Sequence, residues 1–84
     1  MSQTTHPLIA LYGENALDLA TTHIEDLRAN SNFYFDAEYM KTGIGFMMIK
    51  ATEMLEGKRK HKDIGLKDLV SESFGEAAIY KFQC

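Results

Sequence analysis

Eighty-four residues, 45% hydrophobic and 25% charged with a single proline, exclude two separate cores and exclude a disordered or loop-dominated chain. A net charge of −3 excludes a general attraction to nucleic acid or anionic lipid. The one cysteine, Cys84, excludes an internal disulfide framework and a thiolate metal site, so a reducing compartment is the simpler expectation.

The first residues, MSQTTHP, lack the basic start and apolar run of a secretory signal. The best membrane candidate has its longest charge-free run from Thr42 to Ile49, far short of the ~20 apolar residues of a spanning helix. A soluble, cytoplasmic chain forming a single helical domain over residues 1–84 is expected. Its charge is divided: residues 1–57 hold eight acids and three bases, whereas residues 58–84 hold six bases and four acids.

Residues 1–5 read as a flexible polar lead. Thr5 is placed to cap a helix with Pro7 in its first turn, where a missing amide costs nothing. From there to Ala29, the apolar residues Ile9, Ala16, Leu17, Ala20, Ile24 and Leu27 share one helical face, with Glu14, Asp18 and Glu25 opposite. Gly13 costs up to ~1 kcal/mol inside a helix, so the segment is either one helix or a short helix followed by a longer one. Small residues at Gly13, Ala16 and Ala20 would admit a second backbone, expected to be that of the central helix.

Asn30, Ser31 and Asn32 form the first break. Phe33, Tyr34 and Phe35 follow; either Asn32 caps the next helix early, or the aromatics fill the bend and Asp36 is the cap. The central helix covers the stretch DAEYMKTGIGFMMIKATEMLEG, residues 36–57. Its stripe is Met40, Ile44, Met47, Met48, Ala51, Met54 and Leu55, and Gly57 suits the left-handed turn at its end. Gly43 and Gly45 match neither the dinucleotide fingerprint nor the Walker loop and read as sites of a close helix crossing or a kink.

Residues 57–65 are a basic loop. Beyond it Leu66, Leu69, Val70, Ala77 and Tyr80 align on one face with Ser73 among them and Phe74 at its edge. Gly75 interrupts, so a helix is expected from Leu66 to Phe74, with the tail either continuing as helix or turning extended. The fold class is thus all-α: a helical hairpin over residues 6–56 with a tight turn at Asn30–Phe35, closed by a shorter C-terminal helix in a three-helix arrangement.

Chemistry is sparse. His6, His23 and His61 are scattered, and no Glu-x-x-His pair supplies a metal site within a bundle. His23 reads as an edge histidine bonded to a neighbouring carboxylate or hydroxyl. Ser71, Ser73 and Cys84 sit in no nucleophile motif. No catalytic, cofactor or metal residue is assigned, and a non-enzymatic chain is expected.

Two surfaces remain. Phe46 and Ile49 project from the flank of the central helix with Tyr39 beside Phe46, and leaving Phe or Ile wet forfeits about 1.5–3 kcal/mol of burial each. Either a third helix covers them, or a second molecule does. The run Lys58, Arg59, Lys60, His61, Lys62 is either a solvated loop or a patch that docks on an acidic partner protein. Nucleic acid is the alternative, weakened by the lack of interleaved aromatics and of a recognition helix. The expected function is a small protein-interaction module, an adaptor or inhibitor type of regulator. It would dimerise through the apolar helix surface, with Tyr39, Phe46 and Ile49 as the contact residues, and dock a larger protein through Lys58, Arg59, Lys60 and Lys62.

Overall fold

The computed structural model describes residues 6–31, 34–57 and 64–81 and is all-α over them. Four helices follow in order: α1 (Pro7–Tyr12), α2 (Ala16–Ala29), α3 (Ala37–Leu55) and α4 (Leu66–Lys81). The expected Thr5 cap, Phe33 and the basic run fall outside the described residues.

Several boundaries have a local cause. The Nδ1 atom of His6 accepts the Leu8 amide at 3.1 Å ahead of Pro7, which occupies the first turn. Gly13, at φ 101°, ends α1 and donates its amide to the Ile9 carbonyl at 2.8 Å, so the N-terminal segment is a short helix followed by a longer one. Gly13 is exposed and serves this turn instead of a helix crossing. Asp36 caps α3, its Oδ1 accepting the Tyr39 amide at 2.8 Å, and Gly57 at φ 71° follows the end of α3.

α4 differs from expectation. It runs through Gly75 to Lys81, so no interruption forms at the glycine and the tail continues as helix as far as Lys81, one of the two courses expected for it; at 16 residues α4 is longer, not shorter, than the 14-residue α2. Buried contacts around the glycine decide this: Phe74, Ala77 and Ala78 are enclosed, and their packing outweighs a glycine penalty of up to ~1 kcal/mol.

α4 also changes which helices meet. It packs most extensively on α3 and also on α2, while α1 packs on α3 and α2. α2 and α3, neighbours in the chain, touch little, so the hairpin is one of connectivity and the helices buried against Ala16 and Ala20 are not principally α3. One core joins all four helices around Leu8, Ala16, Met47, Ala51, Leu69 and Phe74.

Its centre is aromatic. Phe35, buried in the bend before α3, stacks on Phe74 at 5.9 Å and meets Tyr39 edge-on at 4.7 Å; Tyr39 meets Phe74 edge-on at 5.6 Å. The Tyr39 hydroxyl donates to the Phe74 carbonyl at 2.8 Å, joining α3 to α4. The Tyr12 hydroxyl similarly donates to the Ile64 carbonyl at 2.7 Å, fixing α1 to the entry of α4.

A buried hydroxyl lies within this core. Ser73 is wholly enclosed, and its hydroxyl has no hydrogen-bond partner. Ser73→Ala is expected to raise unfolding stability by about 1 kcal/mol, because it removes a desolvated group that recovers no bond. Urea denaturation reads this directly, and a lower midpoint would mean that the hydroxyl is satisfied in solution.

Candidate interaction surface

The buried face of α3 is rotated from the expected stripe. Tyr39, Gly43, Met47, Lys50 and Ala51 are enclosed, whereas Ile44 and Leu55 are about half exposed. The rotation follows from what α4 offers. A phenyl ring at Phe74 fills the space above Gly43, and two carboxylates receive the Lys50 ammonium at 3.6 Å (Glu72) and 2.9 Å (Glu76). The aliphatic stem of Lys50 thereby lies in the interface while its head reaches charge at the rim.

Tyr39, assigned above to partner contact, belongs instead to the core: it is 4% exposed, and its ring and hydroxyl are engaged by Phe35 and Phe74. Helical spacing placed it beside Phe46, but α4 approaches from the side on which Tyr39 lies. Phe46 is half-buried and meets Tyr80 edge-on at 6.2 Å, so α4 covers it in part. Ile49 remains 55% exposed. The structure thus separates three residues that were grouped by sequence: one enclosed, one at the edge, one outside.

Around the two that remain, α3 and the end of α4 form a shallow apolar surface. A depression of about 260 Å3 is lined by Phe46, Glu76, Ile79 and Tyr80. A second, also about 260 Å3, is lined by Met48, Ile49, Thr52 and Glu53. Ile79 and Tyr80 were not assigned to this surface by sequence. Tyr80 shares a nominal helical face with Ala77, yet it is 67% exposed because it lies past the enclosed part of α4, where its ring meets that of Phe46.

Two further depressions lie along the α2–α4 seam. One, about 140 Å3, is bordered by Leu27, Phe35, Tyr39 and Phe74 with Ser31, Ser71 and Gly75 at its margin. The other, about 190 Å3, is lined by His23, Asp26, Leu27, Asn30, Lys67 and Ser71. The Nδ1 atom of His23 is buried there without a hydrogen-bond partner, so the expected bond to a nearby carboxylate or hydroxyl is absent at that nitrogen. Among the described residues, no three His, Cys, Asp or Glu side chains are grouped to hold a metal ion.

Among the described residues no helix is long and apolar enough to cross a membrane. No protein-family model matches the chain, and neither the curated proteins nor the solved structures contain a significant match to it.

Proposed function

We propose that this chain is a small, non-enzymatic protein-interaction module of the cytoplasm, a regulator of the adaptor or inhibitor type that works as a homodimer. The apolar outer surface of α3, with Phe46 and Ile49, makes the self-contact. Lys58, Arg59, Lys60 and Lys62 dock the dimer on an acidic surface of a larger protein.

The observation that carries this reading is Ile49. An isoleucine 55% exposed near the middle of a 19-residue helix, with half-buried Met48 and Phe46 next to it, leaves burial worth about 1.5–3 kcal/mol per large apolar side chain unused in a single copy. Met48, beside Ile49 on this surface, adds a side chain that repacks readily.

The test is light scattering across concentration. The wild-type mass is expected to approach that of two chains, while Ile49→Asp remains a single chain with unchanged helical circular dichroism, its dimer constant weaker by about 100-fold or more from the desolvation of a carboxylate. Ile49 is the better target than Phe46, whose edge contact with Tyr80 also supports the fold. Wild-type chain that stays single at millimolar concentration would overturn the homodimer. Docking by the basic run is tested separately: reversing its four charges should abolish salt-sensitive binding to an acidic protein while leaving the dimer mass unchanged.

A further inference from the structure

The outward face of α3 carries a two-fold pattern. Lys41, Gly45, Met48 and Thr52 are spaced four, three and four residues apart; from the other end, Glu56, the C-cap residue just past α3, and Thr52, Ile49 and Gly45 have the same spacing. This is the alternation that keeps one seam facing a partner helix along its length. These six residues lie opposite the face defined by Tyr39, Gly43, Lys50 and Ala51, and every one of them is exposed or half-exposed.

We infer that a second copy of the chain docks here antiparallel, with the symmetry axis passing between Met48 and Ile49. This deepens the homodimer reading above and rests on it. In that register, Met48 of each copy packs on Ile49 of the other, Gly45 lies opposite Thr52, and Lys41 lies opposite Glu56. The contact is isologous and closed, as a two-fold dimer requires.

Charge decides the orientation. The antiparallel seam has a lysine facing a glutamate at both ends, and it sets the two helix dipoles head to tail. A parallel seam would put Lys41 against Lys41 and Glu56 against Glu56. The two glycines supply a second argument. A Cβ on Gly43 would collide with Phe74, so the chain's own core accounts for that residue. A Cβ on Gly45 would meet nothing within 4 Å among the described residues, so no contact with them requires a mid-helix glycine there. In the proposed dimer Gly45 receives Thr52 of the other copy, and the pair lets the helices approach closely.

Sedimentation equilibrium of the full chain at low salt tests the register. Lys41→Glu and Glu56→Lys are each expected to weaken dimerisation about tenfold, since two attractive end contacts become repulsive, and the double variant is expected to recover to within about twofold of wild type. Both positions are exposed, so the fold persists in each variant. Crosslinking supplies a geometric check in a Cys84→Ser background. Gly45→Cys chain mixed with Thr52→Cys chain should oxidise mainly to the mixed disulfide, because the two Gly45 positions stand about 10 Å apart along the axis and exceed disulfide reach. A predominant crosslink between two Gly45→Cys chains, or a double variant no better than either single one, would overturn the antiparallel register. If association is lost in Ile49→Asp yet indifferent to the charge swap, the register falls and the homodimer stands. If the wild-type chain never associates, both fall.

Discussion

Gly43→Ala should lower the unfolding stability of a single copy by about 2 kcal/mol, whereas Gly45→Ala, two residues away on the same helix, should raise it by about 0.5–1 kcal/mol. Intrinsic helix preference favours alanine at both positions, so the difference in sign comes from packing alone. A Cβ at residue 43 would stand 2.5, 2.6 and 2.7 Å from three atoms of the Phe74 ring. That ring cannot move aside, because it is 1% exposed and held between Phe35 and Tyr39. At residue 45 the added methyl meets nothing within 4 Å. Urea titration at concentrations where the chain is a single copy measures both. A Gly43→Ala variant as stable as wild type would show that α3 and α4 do not approach as closely as the ring contact requires.

The second large effect belongs to Lys50. Replacing both of its partners, Glu72→Gln with Glu76→Gln, should destabilise the fold by about 2 kcal/mol, but Lys50→Met should change it by less than about 1 kcal/mol. The asymmetry follows from exposure. The Lys50 side chain is 9% exposed, while those of Glu72 and Glu76 are 41% and 52% exposed. Removing the carboxylates strands a cation in the α3–α4 interface. Removing the lysine head leaves two carboxylates that water already reaches, and methionine retains most of the buried stem. Solvent access also moderates the first figure below the roughly 3–5 kcal/mol of a wholly buried pair. Equal losses for both variants, in thermal or urea unfolding, would mean that the stem's packing and not the charge arrangement holds the interface.

These residues show where sequence reasoning reached its limit. Pro7 and Gly57 marked their boundaries, and Gly13 and Asp36 each stood as one of two alternatives at theirs, through local chemistry: a missing amide, a positive φ, a carboxylate within reach of free amides. Such signals need no knowledge of the rest of the chain. The orientation of α3 about its own axis is another matter. Hydropathy put Ile44 and Leu55 inward and gave Lys50 no role, because a count of apolar side chains cannot recognise a buried lysine stem or the carboxylates waiting on another helix. Tyr39 was misassigned for the same reason, and Phe46 and Ile49 differ only by which side of α3 the fourth helix covers.

The sequence by itself determined an all-α chain and the places where its main turns fall, since these depend on 3.6-residue periodicity and on contacts within a few residues. It left open whether Gly13 divides the first helix and whether Asn32 or Asp36 caps the central one. Tertiary structure alone decided that α4 lies against both α2 and α3, that it runs unbroken through Gly75, and that Tyr39 is enclosed while Ile49 faces outward. Those outcomes depend on which long-range surfaces meet. A glycine that yields to a ring 31 positions away, and an ammonium held by acids 22 and 26 positions away, have no local signature.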